Sequence, residues 1–197
     1  RRQQFRPEDT ARGGHAALLG FAFGLGKFLT GVSWVYVSLH DFGAMPAPLA
    51  ALLTVIFCCI LALYPAVVGY AYFMLGVRST AATLMALPAL WTLAEWVRGW
   101  LFTGFPWLSL GYAQTPASPL AGYLPVTGVY GVSFATVLTA GLIVTLCAPC
   151  GKNVGGSKRL WRIFPASLVL ATLWAGGFIL QQKDWTTPVG APVTVSL

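Results

Sequence analysis

The sequence predicts an all-α membrane protein, a bundle of about five transmembrane helices. Three observations carry that prediction: 57% of the 197 residues are hydrophobic, 9% are charged, and the mean hydropathy is +0.73. Soluble domains carry about 25% charged residues, so this chain has too few polar side chains to clothe itself in water. A bilayer core about 30 Å thick takes about 20 apolar residues per helix, and the length holds several such spans and little else. Peptide groups in hydrocarbon find no water to bond, which forces each span to be a helix and not an open strand.

Residues 1–14 read as a basic segment on the cytoplasmic side, with Arg1, Arg2, Arg6 and Arg12. The chain opens with Arg1 and not Met, and the apolar stretch behind it is too long for a signal peptide and lacks a clear cleavage site. The sequence is therefore expected to begin inside a larger protein or after processing. A transmembrane domain follows over 15–180, made of apolar runs at His15 to Leu39, Leu49 to Leu75, Ala81 to Phe102, Ala121 to Ala148 and Ile163 to Leu180. Within the first run, Gly20-x-x-x-Gly24 and Gly24-x-Gly26 predict close approach to another helix. Pro65 and Pro88 are candidates to break the second and third runs.

Cations set the orientation. Arg1 to Arg12, then Arg78, then Lys152, Lys158, Arg159 and Arg162 fall in alternate connections, whereas 40–48 and 103–120 contain no Lys or Arg. Basic connections stay in the cytoplasm, so the N-terminus is expected inside and the C-terminal end outside. After Leu180 the texture changes to a polar, Pro-containing linker and the alternation Val193-Thr-Val-Ser-Leu197, which reads as the first strand of a soluble domain cut short; 181–197 form this last segment.

The net charge of +7 does not point to nucleic acid, because the basic residues gather neither on one helical face nor in one tract. Cys58 and Cys59 lie inside an apolar run. Cys147 and Cys150 form a Cys-x-x-Cys without the strand-helix context of a redox site and without a second pair or a nearby His for zinc, so all four read as ordinary thiols. No metal or organic cofactor is implied. The stretch Phe21 to Phe28 superficially resembles a phosphate loop, but Phe21 replaces the first glycine and Phe28 stands where Ser or Thr is required after Lys27.

The residues that could carry chemistry cluster toward the outer side. Glu95 and Arg98 stand three apart on the third run, a spacing that puts both on one helical face where they can neutralise each other. An unpaired charge at mid-depth costs about 2.5–3.5 kcal/mol, so pairing is expected. Glu95 lies roughly 10 Å below Phe102 at 1.5 Å per residue, inside the outer leaflet. Two readings stand: a buried pair that orients the helix and the following loop, or direct contact with a headgroup or substrate; positioning is the favoured one. The uncharged loop Trp100 to Gln114 is crowded with Phe105, Pro106, Trp107 and Tyr112, and reads either as an aromatic belt or as a lined acyl or headgroup pocket. Pro106 is expected to fix a bend between Phe105 and Trp107. Ser38, His40 and Asp41 make a poor hydrolytic triad, since neighbouring His40 and Asp41 do not face one another on a helix. Lys27 is expected to snorkel or to pair internally.

At these residues a resemblance emerges. Trp34-Val-Tyr-Val-Ser, Phe42-Gly-x-Met-Pro-x-Pro48, Ala89-Leu-Trp, Glu95-Trp-x-Arg-Gly-Trp100, Thr103-Gly-Phe-Pro-Trp-Leu108, Gly111-Tyr-x-Gln114 and Pro125-x-x-Gly-Val-Tyr130 together resemble bacterial apolipoprotein N-acyltransferase. That resemblance implies a multi-pass protein of the bacterial inner membrane. It would transfer an acyl chain from a phospholipid donor to the N-terminal Cys amine of a diacylated lipoprotein acceptor. It also implies a nitrilase-like α/β domain on the periplasmic side with a Glu, Lys and Cys triad, of which Val193 to Leu197 would be the first strand. No catalytic residue is then expected in this chain, which alone should be inactive, and both flanks would be truncated. Trp107 resembles the family's tryptophan implicated in substrate binding, with Phe105, Pro106 and Tyr112 beside it and Glu95 and Arg98 framing the loop. Two other function classes compete: a multi-pass transporter, disfavoured by an odd span count without visible repeats, and a noncatalytic lipid-binding membrane scaffold.

Overall fold

The computed structural model describes residues 7–77, 79–148, 156–187 and 189–190, with the backbone path alone for 7–10 and 156–162. Long helices stand where the apolar runs were read: α1 (Pro7–Gly31), α3 (Ala47–Met74), α4 (Thr80–Arg98), α5 (Leu124–Cys147) and α6 (Gly156–Gln181), with the short α2 (Trp34–Val37) following α1. No strand occurs among the described residues. The alternation Val193 to Leu197 lies outside them, as do Arg78, Cys150 and Lys152.

Among the described residues, three helical stretches are long and apolar enough to cross a membrane: Ala47–Met74, Pro119–Cys147 and Ile163–Gln181. A fourth arises if Ala11–Gly31 and Trp34–Phe42, bent by 50° at a break, form one span. About five spans were expected, and three to four stretches among the described residues qualify by length and composition. The helix that falls short is α4. At 19 residues it is as long as the Ile163–Gln181 stretch, and what sets it apart is charge, since its last turns hold Glu95 and Arg98 whereas 163–181 contains no charged residue.

Helices α1 and α3 pack most intimately, and glycine permits it. A Cβ on Gly20 would sit 2.2 Å from the Pro65 carbonyl oxygen, and one on Gly24 would sit 3.0 Å from the Ala62 Cα. Small residues at these steps let two backbones touch, as the Gly20-x-x-x-Gly24 spacing predicts. Pro65 and Pro88 are buried inside α3 and α4, and both helices run on through them. The expected breaks do not form, because a neighbouring helix packed against a proline supports the turn whose hydrogen bond it lacks. The break falls instead inside α5, where Gly128 has φ 65°.

One apolar core, of Phe28, Val32, Cys58 and Leu61, lies between the C-terminal end of α1 and α3, and Phe105 and Leu108 of the long loop pack onto it. A second and a third, around Leu120, Val132 and Ala135 and around Leu138, Leu142 and Ala166, join α5 to the turn before it and to α6. Tyr123 Oη donates to the Leu173 carbonyl at 2.9 Å, tying that turn to α6. Elsewhere the surface is apolar: Leu52, Leu63 and Val67 on α3 are each more than half exposed. Such a face is compatible with lipid and not with water.

Candidate functional site

The loop after α4 is held from below by buried charge. Glu95 and Arg98 are 4% and 2% exposed, among the most deeply buried polar side chains described. Arg98 aims its guanidinium along the loop: Nη1 donates to the carbonyls of Phe105, at 2.7 Å, and Trp107, and Nη2 to Ser109 Oγ at 3.3 Å. Ser109 in turn donates to the Pro106 carbonyl at 3.0 Å, and the Phe105 amide donates back to the Arg98 carbonyl at 2.8 Å. A planar fork with five N–H donors is the side chain suited to gathering several carbonyls at once. The expected bend at Pro106 is visible here, since the carbonyls on either side of it converge on one nitrogen.

Glu95 makes no direct salt bridge to Arg98, the contact their spacing led us to expect. Its ion partner is Lys27 of α1, with Nζ 3.7 Å from Glu95 Oε1. The same oxygen accepts from Trp91 Nε1 and from the Leu110 amide, both at 2.9 Å. The physical reason is that Arg98, one turn nearer the surface, satisfies its donors on loop carbonyls that would otherwise be buried without partners. Lys27 pairs internally and does not snorkel, and its ammonium lies 5.1 Å from the Trp91 ring and 5.5 Å from the Phe28 ring. The Arg98 guanidinium faces the same Phe28 at 5.4 Å. One phenyl ring thus lies near two cations.

Above these anchors the backbone is bent hard. Phe102, Thr103 and Gly104 have φ of 51°, 74° and 81°, and Leu108 has 60°. For side-chain-bearing residues that region costs of order 1–3 kcal/mol each and persists only where surroundings over-determine it. At Gly104 a Cβ would meet the Gly99 carbonyl at 2.1 Å, so the turn can be closed only by glycine. Phe102 projects outward, 84% exposed.

Trp107 is 54% exposed yet fixed on both sides, with ring centroids 5.1 Å from Phe105 and 6.2 Å from Trp34. Phe105 packs edge-on to Phe57 of α3 at 5.1 Å. The segments beginning at Trp34 and at Thr103, far apart in sequence, therefore meet in one aromatic cluster. Tyr112 is half exposed in a single 3-10 turn, Tyr112–Gln114, and touches none of this cluster's rings. Its neighbour Gly111 donates its amide to the buried Ser133 Oγ at 2.9 Å, fastening the far end of the loop to α5. Of the six residues singled out, Phe105, Pro106, Trp107, Glu95 and Arg98 form one connected unit, and Tyr112 stands at its margin.

A cavity of about 220 Å³ opens beside the loop, lined by Phe57, Tyr64, Arg98, Thr103, Gly104 and Phe105 among others. Through Ile60, Tyr64, Leu101 and Phe102 it continues into a groove of about 460 Å³ between α3 and α4, otherwise lined by residues such as Leu63, Val67, Leu93 and Val97. The trough is apolar along α3 and α4 and more polar at the loop end, where Tyr64, Thr103 and the buried Arg98 line it.

Sequence reasoning allowed Lys27 an internal partner without naming it, and missed Trp91, Ser109 and Ser133 as members of this network. Trp91 stands four residues before Glu95, and that helical spacing could have revealed it; Ser133 carried no local signal. His40 and Asp41 do approach each other, with His40 Nε2 4.0 Å from Asp41 Oδ1, because Ser38–Phe42 winds as a wider π-helical turn. Asp41 is exposed and His40 half-buried, and His40 Nδ1 bonds the Met45 carbonyl at 2.8 Å.

Taken together, fold and site define a multi-helix membrane module that presents a charge-anchored aromatic loop above a lipid-facing groove. Residues 6–142 match the family model described as the apolipoprotein N-acyltransferase N-terminal domain, and the chain belongs to that family. Its relatives include proteins named apolipoprotein N-acyltransferase from Nitrosomonas europaea, 50% identical over 184 residues, and from Chromobacterium violaceum, 39% identical over 179. These alignments cover 93% and 91% of this chain but 35% and 33% of the relatives. A third, from Methylococcus capsulatus, is 39% identical over 198 residues, covering 98% of the chain and 36% of the relative. The chain spans about a third of the length of the curated relatives it matches.

Proposed function

We propose that this chain is the membrane module of an N-acyltransferase that moves an acyl chain from a phospholipid to the N-terminal Cys amine of diacylated lipoproteins. The catalytic residues would lie outside this sequence, in a nitrilase-like domain on the periplasmic face of the bacterial inner membrane, and this chain alone would be inactive. In such an enzyme a thiolate attacks the phospholipid ester to give an acyl-thioester and a lysophospholipid. The lipoprotein amine then attacks the thioester, forming the amide and releasing the thiol. The module's share of the work is binding: it holds both amphiphiles where the reacting groups meet, which replaces diffusion in the membrane plane with positioned encounter.

The observation that carries this reading is the half-exposed Trp107, whose carbonyl accepts from buried Arg98 and whose ring lies against Phe105, a residue that lines the mouth of the groove. Phe105 and Pro106 shape its seat, Glu95 and Arg98 position it, and Tyr112 stands at the margin of the loop. In the complete enzyme, Trp107→Ala should cut lipoprotein N-acylation at least about tenfold at normal abundance, a loss of about 1.4 kcal/mol in transition-state stabilisation. Trp100→Ala, the loss of a ring of like exposure, should not. Equal activity of the Trp107 variant and the parent would remove the loop from the site.

A further inference from the structure

We propose that Lys27 is a positioning residue of this site. Its ammonium compensates the buried Glu95 carboxylate, and that carboxylate holds the Leu110 amide and hence the register of the loop bearing Trp107. The route begins with helix packing. Gly24 presses α1 against Ala62 and Pro65 of α3, and three residues further on Lys27 reaches over to α4. There it meets Glu95 Oε1 at 3.7 Å, with the side chains 15% and 4% exposed.

All the contacts of Glu95 fall on one oxygen. Oε1 receives Lys27, Trp91 Nε1 and the Leu110 amide, whereas Oε2 is buried with no hydrogen-bond partner. A space of about 10 Å³, lined by Lys27, Tyr64, Trp91, Glu95 and Arg98 among others, adjoins it, about the room one water requires. Lys27 supplies the direct ion pair of this carboxylate, while Arg98, close enough to line the same space, commits its hydrogen bonds to the loop. Removing one member of a buried pair leaves an uncompensated charge, while removing both is far milder. Trp91 locks the arrangement, donating to Oε1 while its ring faces the ammonium. From Lys27 the chain of contacts runs to Glu95, to Leu110, and so to the segment 105–110 clamped at its other end by Arg98.

The test compares Lys27→Met, Lys27→Arg and the double variant Lys27→Met/Glu95→Gln in lipid nanodiscs, reading amide hydrogen exchange at Leu110 against Leu61 of α3. Lys27→Met should speed exchange at Leu110 at least about tenfold with Leu61 unchanged. Lys27→Arg should stay near the parent. The double variant should return to within about threefold, since a glutamine oxygen accepts the same two bonds without needing a cation. Unchanged exchange in Lys27→Met would overturn the proposal, as would a double variant no better than the single. Should Lys27→Met fail to fold, the double variant decides: a folded protein with Leu110 protected supports the compensation, and one that fails alike refutes it. For its bearing on catalysis the inference rests on the reading above. Because exchange is measured without any transferase assay, failure of the Trp107→Ala prediction would leave this result standing.

Discussion

Replacing Arg98 with methionine would strip the loop of its principal donor, and the cost can be worked from the contacts. Two carbonyls, those of Phe105 and Trp107, and the Ser109 hydroxyl accept from one guanidinium that is 2% exposed. A hydrogen bond to a charged group contributes about 1.5–3 kcal/mol, so the two carbonyl bonds sum to about 3–6 kcal/mol before relaxation. Contacts sharing one side chain are not additive, and the loop can turn one carbonyl toward the headgroup region. A net cost of about 3 kcal/mol follows, roughly a hundredfold in the opening equilibrium. Arg98→Lys keeps the charge but loses the fork and should cost about half as much. Hydrogen exchange in nanodiscs at Phe105, Leu110 and Gly111, whose amides all hold native acceptors, should rank the parent slowest, then Lys, then Met. If Lys is as protected as the parent, or Met leaves the rates unchanged, the guanidinium does not hold the loop.

Two further predictions concern packing and topology. Gly20→Leu would drive a side chain into the Pro65 carbonyl, where even a Cβ would lie at 2.2 Å; overpacking of this kind costs about 1–3 kcal/mol and should lower the melting temperature in detergent, and an unchanged midpoint would contradict the close α1–α3 contact. With the native cysteines replaced, Ser118→Cys should react with an impermeant thiol reagent added to intact cells and Ser157→Cys only after permeabilisation, and the reverse pattern would invert the orientation.

Much of this architecture was legible because lipid simplifies the code. Apolar runs of spanning length can only be helices, so long helices appear where hydropathy located them, and Gly20 and Gly24 announced their contact by spacing alone. Prolines were misleading for the same reason. Pro65 reads as a breaker in a water-soluble helix, yet in α3 it packs against the glycines of α1 and the helix continues. The site was legible as a set of residues and illegible as a network. Spacing could place Glu95 and Arg98 on one face, but it could not show that loop carbonyls would draw Arg98 away or that Lys27 would cross from another helix to replace it. That exchange depends on the fold of the loop, whose positive-φ residues Phe102, Thr103 and Leu108 carry no sequence signature. Ser133 was invisible because its role is set wholly by what packs against it.

The central claim is that the aromatic loop meets the lipidated substrates. It is tested most directly by placing a photoreactive phenylalanine analogue at position 107 of the complete enzyme in native membranes, with the same analogue at position 100 as a control of similar exposure. On irradiation, position 107 should form a covalent adduct with diacylated lipoprotein that excess phospholipid-free lipopeptide competes away, and position 100 should give only bulk lipid adducts. Indistinguishable adducts from the two positions, with no lipoprotein captured at 107, would contradict the account.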